Sequence, residues 1–218
     1  MNFISDNAYG ASPQILASLT AANSGTETSY GGDTVTARVA EKLAAIFAHE
    51  VAVFPVVTGT AANALALAAL CPPYGAVFCH KDSHIAVDEC AAPEFFTGGA
   101  KLAQLDGDGA KLAPQTIAQT LARFGGGVHS PKPSVVSITQ ATELGTIYKL
   151  DEIRAIADVA HKHGMTLHMD GARFANALVS LGCTPAEMTW KAGVDALSFG
   201  ATKNGALCAH YVVFFDRT

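Results

Sequence analysis

The chain has 218 residues, half of them hydrophobic and 15% charged, with a formal net charge of −5. So apolar a composition builds a core and excludes a disordered chain. The acidic balance, with no basic run, argues against a nucleic-acid partner, and no run of about 18 apolar residues offers a membrane span. The start, MNFISDNAYG, lacks the charged and apolar regions of a secretory signal. The five cysteines, Cys71, Cys79, Cys90, Cys183 and Cys208, are odd in number and form no C-x-x-C pair. They read as free thiols, which predicts a reducing, cytoplasmic setting and no zinc site.

In chain order, a helix is expected from about Pro13 to Ala22, then a glycine-rich loop from Ser24 to Asp33, then a helix from about Thr34 to Ala48. Residues 1–48 thus read as an N-terminal helical arm, and 49–218 as a larger unit. Val51-Ala-Val-Phe-Pro-Val56 is a short buried strand candidate. The alanine-rich run Thr58 to Leu70 follows as a helix, stopped by Cys71-Pro-Pro-Tyr74. Strands are expected at Ala76–Cys79 and Ala100–Leu105, the latter closed by the turn Asp106-Gly-Asp-Gly109. Pro114 to Phe124 opens on proline and ends at Gly125-Gly-Gly127, a helix.

Ser134–Thr139 is a β-branched strand. Asp151–His163 is an amphipathic helix with Ile153, Ile156, Val159 and Ala160 on one face and Gly164 as its stop. Met165–Met169 is a strand, Pro185–Ala192 a short helix, Ala196–Phe199 a strand, and Ala206–Phe215 a last strand. Alternating helices and continuous apolar strands predict an α/β fold, a mostly parallel sheet covered by helices on both faces. The chain stops at Asp216-Arg217-Thr218, straight after a strand, which reads as a truncation before a small further domain.

Ligands of open α/β sheets sit at the carboxyl ends of the strands. The polar residues at those ends are Thr58-Gly59-Thr60, His80 to His84, Gln140 to Glu143, Asp170 to Arg173, and Thr202-Lys203. A turn with free backbone N–H groups, an imidazole, a carboxylate, a guanidinium and an amine would share one rim. Each has an ordinary reading taken singly. Thr58 to Asn63 suits a helix cap as well as an anion site, and its spacing fits neither G-x-x-x-x-G-K-[ST] nor G-x-G-x-x-G. Asp170 can pair with a protonated ring nitrogen or cap the helix after Gly171. Lys203, in an apolar neighbourhood, is either a desolvated nucleophile or a loop lysine reaching water. His161 and His163 point to different faces of one helix and read as solvated. His80 and His84, four apart, read as a cofactor-site pair, and no metal site is assigned.

Ser5-Asp-Asn7, Tyr30-Gly-Gly-Asp33, Thr58-Gly-Thr-Ala-Ala-Asn63, His80 to Glu89, His168-Met-Asp-Gly-Ala-Arg173 and Ser198 to Lys203 fall in order. Together they resemble the threonine aldolases of the β-eliminating lyase group, over nearly the whole chain. Asp88-Glu-Cys-Ala-Ala-Pro-Glu-Phe-Phe-Thr-Gly-Gly-Ala-Lys-Leu102 is most similar to the phenylserine and low-specificity threonine aldolase branch. The resemblance implies the large domain of a pyridoxal-5'-phosphate-dependent transferase-like fold (fold type I), without its C-terminal domain.

It further implies that Lys203 carries pyridoxal phosphate as an imine and that Asp170 pairs with the pyridine nitrogen. Gly59 and Thr60 would hold the phosphate, with Ser198 as a helper. His84 would lie over the ring, Arg173 and Ser5 would bind the substrate carboxylate, and Tyr30 would reach a neighbouring subunit of a homodimer or homotetramer. The reaction implied is cleavage of a β-hydroxy-α-amino acid to glycine and an aldehyde. His84 is the first candidate base for the β-hydroxyl and Glu143 the second. Gln140-Ala-Thr-Glu-Leu-Gly145 departs from the pattern, since Glu143 stands where many members have histidine. Alternatives are β-elimination, transamination, or an incomplete chain without activity; a nucleotide-binding domain fits least.

Overall fold

A computed structural model of the chain describes residues 4–124 and 127–215. Gly125 and Gly126 of the expected glycine stop, and Asp216-Arg217-Thr218, lie outside the described residues. Helix α1 (Pro13–Ala22) opens on Ser12, whose hydroxyl accepts from the Ile15 N–H, with proline in its first turn. None of its residues is buried. Helix α2 (Thr34–Phe47) is capped by Asp33 through the Thr36 N–H at 2.7 Å. Its last turn buries Leu43 and Phe47, and Phe47 meets Phe174, Phe199 and Phe215 edge-on.

The alternation that follows is β1 (Ala52–Val56), α3 (Gly59–Leu70), β2 (Gly75–His80), α4 (His84–Val87), α5 (Ala92–Phe96), β3 (Lys101–Leu105), α6 (Pro114–Phe124) and β4 (Lys132–Thr139). Then come α7 (Leu150–Lys162), β5 (Thr166–Gly171), α8 (Phe174–Leu181), α9 (Pro185–Met188), β6 (Ala196–Gly200) and β7 (His210–Phe214). The strands form one sheet in the order β1-β7-β6-β5-β4-β2-β3. Only β7 runs against its neighbours, antiparallel to both β1 and β6.

The mostly parallel sheet and its two covered faces agree with the α/β expectation. Strand β2 shows how the faces are shared. Ala76 and Phe78 enter the main core, with α2 and α6 to α9, while Val77 and Cys79 join a second cluster beside Leu67 of α3. A strand covered on both faces carries apolar residues at every position, and all six of its residues are buried.

Several expectations need correction. The first strand is not buried: β1 lies at the sheet edge and Phe54 is 55% exposed. Pro55, which lacks an N–H for the ladder, suits that place. The last strand starts at His210, not Ala206, because Thr202–Asn204 form a 3-10 turn and Leu207 takes a positive φ of 58°. The expected helix over 185–192 divides into α9 and a 3-10 turn at Trp190–Ala192. The helix expected after Gly171 is α8, which begins only at Phe174.

Candidate active site

The parallel strands point their carboxyl ends at one edge of the sheet, and β7, running the other way, delivers its first residue there. A cavity of about 420 Å³ opens at that edge. Strand β1 leads into Thr58, whose hydroxyl caps the Ala61 N–H at 3.1 Å and starts α3. Gly59 and Thr60, the first residues of α3, line the cavity. Their free first-turn N–H groups are donors for an anion. Strand β5 carries Asp170 as its next-to-last residue and leads to Arg173; β6 leads to Lys203.

Seven of the ten residues singled out in the sequence line this cavity: Gly59, Thr60, His84, Glu143, Asp170, Arg173 and Lys203. Ser5, Tyr30 and Ser198 do not line it. Ser5 is exposed and caps the turn at Asp6–Ala8 through the Asn7 N–H. Tyr30 is fully exposed. Ser198 is buried, and its hydroxyl meets Nε2 of buried His168 at 2.9 Å, so it is committed inside the sheet. His80 is also corrected as a partner of His84. It is held inside by the Gly107 carbonyl at Nε2 and the Asp82 N–H at Nδ1, away from the cavity. His161 and His163 are exposed, as expected for a solvated helix.

Asp170 does not cap α8, whose N-cap is Arg173 with no side-chain cap hydrogen bond; its carboxylate is held at both oxygens instead. Oδ1 accepts from the Ala172 N–H at 2.9 Å, and Oδ2 accepts from Asn63 Nδ2 at 2.8 Å. Lys203 is not in apolar company: Arg173, Asp6, Asp170 and Glu143 all act on it. Burial, then the Arg173 charge, hold its amine below the ordinary lysine value, against the three carboxylates.

Arg173 reaches Asp6 through two hydrogen bonds, Nε to Oδ2 at 2.7 Å and Nη2 to Oδ1 at 3.1 Å. Burial works to raise the Asp6 carboxyl, but Arg173 outweighs it and the group lies below its ordinary value. His84 donates Nδ1 to Glu89 Oε1 at 2.7 Å. That bond lifts its imidazole above the ordinary value, against burial. Glu143 Oε1 accepts from the His84 backbone N–H at 2.8 Å and from the Thr139 hydroxyl at 3.0 Å.

The amine, guanidinium, imidazole and carboxylates can be weighed against known proteins. The family model described as beta-eliminating lyase matches residues 2–218. The chain belongs to the beta-eliminating lyase family. It is 48% identical over 215 residues to low specificity L-threonine aldolases of Pseudomonas sp. (strain NCIMB 10558) and of Pseudomonas aeruginosa, covering 99% of this chain and 62% of each relative. Among solved structures, a threonine aldolase of Leishmania major matches with a TM-score of 0.91 at 28% identity, over 98% of this chain and 62% of that one. The chain therefore spans somewhat under two thirds of the length of the relatives it matches.

Sequence reasoning missed several residues in or beside the cavity. Asn63, Glu89, Asn7, Cys208 and His210 all line it. Asn63 and Glu89 stand out in the sequence only as members of longer strings. Asp6 adjoins Ser5, the residue that the resemblance offers for the substrate carboxylate. His210, whose Nε2 meets the Thr202 hydroxyl at 2.7 Å, gave no signal inside a predicted strand.

Proposed function

We propose that this cavity binds pyridoxal 5'-phosphate and cleaves a β-hydroxy-α-amino acid, such as threonine, allo-threonine or phenylserine, to glycine and an aldehyde. The carrying observation is that Lys203, Asp170 and Arg173 line one cavity in a chain of this family. The names of the Pseudomonas relatives give the reaction class.

The residues fit the cofactor. An amine, a carboxylate with one oxygen on Asn63, and the N-terminus of α3 meet the needs of its aldehyde, its ring nitrogen and its phosphate. Three buried atoms beside the cavity, Asn63 Oδ1, Glu89 Oε2 and Glu143 Oε2, have no partner among the described residues. Buried polar atoms are ordinarily satisfied, so this polar lining suits a polar occupant.

Lys203 would hold the cofactor covalently, its lowered pKa leaving more free amine near neutrality. Asp170 would pair with the ring nitrogen, and Gly59 and Thr60 would donate to the phosphate. The bound group supplies an electron sink for the pair released when Cα–Cβ breaks. The Arg173 fork would take the substrate carboxylate, geometry that Asp6 already satisfies. His84 Nε2, opposite the nitrogen held by Glu89, is the first candidate to take the β-hydroxyl proton, and Glu143 Oε2 the second. The exposed Tyr30 supports a homodimer or homotetramer in which it serves a neighbouring copy, and the free cysteines support a cytoplasmic setting.

The test is to add pyridoxal phosphate to the chain and to Lys203→Ala, then supply threonine and phenylserine. A visible absorbance band and glycine release are expected from the chain and not from the variant. Keto acid and ammonia in place of glycine would transfer the chain to β-elimination, and an equally active Lys203→Ala would refute the scheme.

A further inference from the structure

Beneath the imidazole of His84 lies a buried polar chain whose members make and break no bond in the proposed reaction. Asn63 and Glu89 are 2% and 4% exposed. Asn63 Nδ2 donates to Glu89 Oε1 and to Asp170 Oδ2, both at 2.8 Å. An amide NH2 has two hydrogens, so one group serves two carboxylates. The orientation is forced, since a carbonyl oxygen facing two carboxylates would set acceptor against acceptor at both contacts. Glu89 Oε1 also accepts from His84 Nδ1 at 2.7 Å. These contacts run from Asp170, on β5, through α3 to the loop after α4.

We propose that Asn63 and Glu89 are positioning residues acting through His84. Asn63 ties the Glu89 carboxylate to that of Asp170, and Glu89 holds the imidazole by Nδ1 so that Nε2 faces the cavity. One buried bridge thereby links the residue proposed for the ring nitrogen to the residue proposed for the β-hydroxyl.

The charge balance agrees with the geometry. The groups acting on His84 are Glu89 and Asp170, which favour its proton, and Lys203, which opposes it; the Glu89 bond is the largest contribution. Glu143 faces the same residue at its backbone N–H. Glu89 keeps Oε2 unpartnered among the described residues, so its hold on His84 and Asn63 rests on one oxygen. A charge-assisted, partly buried hydrogen bond of this kind fixes both a tautomer and a ring orientation.

The catalytic meaning rests on the proposed function, but the bridge can be tested without cofactor. In the cofactor-free chain, the titration of His84 is followed by two-dimensional NMR of nitrogen-15-labelled histidine, assigned by comparison with His84→Gln. We expect His84 to bind its proton more tightly than an ordinary histidine. In Glu89→Gln, which keeps the shape and removes the charge, proton affinity should fall roughly tenfold, one pH unit in midpoint. Asn63→Ala should broaden or shift the same resonance, because Glu89 loses its anchor. A wild-type midpoint at or below the ordinary value overturns the proposal even if no variant folds. So does a Glu89→Gln protein that unfolds cooperatively with the His84 midpoint unchanged. A chain that passes these tests yet forms no band with pyridoxal phosphate would refute the cofactor reading and leave the bridge standing.

Discussion

Arg173 and Lys203 line the cavity, and the charge of each favours the ionised carboxylate of Asp6 beside it. Asp6 occupies the guanidinium with two hydrogen bonds, so a substrate carboxylate must share or displace it. Replacing Asp6 by Asn should tighten glycine binding to the cofactor-loaded chain a few-fold. Arg173→Ala should weaken it about tenfold or more, the size of a lost charge-assisted hydrogen bond. Glycine titration read by absorbance checks both, and an Asp6→Asn as weak as Arg173→Ala would remove Asp6 as a competitor. Arg173 also lowers the Lys203 amine. The pH at which Lys203 reacts half-maximally with pyridoxal phosphate should therefore move upward in Arg173→Gln, and an unchanged or lower value would show that the Arg173 charge does not hold the amine down. At this scale the sequence exposes residues that end strands, since Asp170 and Lys203 each follow an apolar run. It hides their partners. Asp6 meets Arg173 across 167 positions, and Asn63 meets Asp170 across 107. No local pattern encodes such pairs.

Elements were readable where their apolar pattern ran long. Helix α7 shows the 3.6 period and buries Ile153, Ile156 and Ala160 on the expected face. Helix α8, FANALVSL, is eight residues of mostly apolar side chains, short enough to read as strand or helix. Helices α4 and α5, of four and five residues, are shorter than any period can define. What decides α8 is Gly171, at the end of β5. A Cβ there would lie 2.7 Å from Leu197 Cδ1 and 3.0 Å from the Ser198 carbonyl oxygen. Glycine lets the chain leave the sheet pressed against β6, which sets Asp170 and Arg173 at the cavity. Gly171→Ala should destabilise the chain by about 1–3 kcal/mol, the usual cost of overpacking. Chemical denaturation measures it, and an unchanged midpoint would mean that β6 yields freely at this contact. Thr58→Ala removes the cap of α3 and should cost about 1 kcal/mol. A larger loss of pyridoxal phosphate affinity than of stability would show that the same turn holds the anion.

For the molecule as a whole, the sheet carries a titratable group at its centre. His168, on β5 between β4 and β6, is fully buried, with Ser137 at Nδ1 and Ser198 at Nε2, each at 2.9 Å. Two hydroxyls can satisfy a neutral ring in either tautomer. Burial pushes its pKa down to about 4, against the nearby Asp170 charge. Unfolded, the same ring takes up its proton near the ordinary value of about 6.5. Between these values the unfolded chain binds one proton more than the folded chain, so stability falls as pH is lowered through that window. The slope from one such proton is about 1.4 kcal/mol per pH unit. His210, also lowered by burial, acts with the same sign. His84, raised by Glu89, acts with the opposite sign: its contribution is complete below its unfolded value and is lost as pH rises through its folded one. The comparison that isolates His168 is therefore with His168→Gln, not with pH alone. Denaturant unfolding at intervals from pH 7 down to 4 should show the variant losing less stability than the wild type across the window. Parallel curves would mean that His168 gains its proton in the folded sheet as readily as in the unfolded chain.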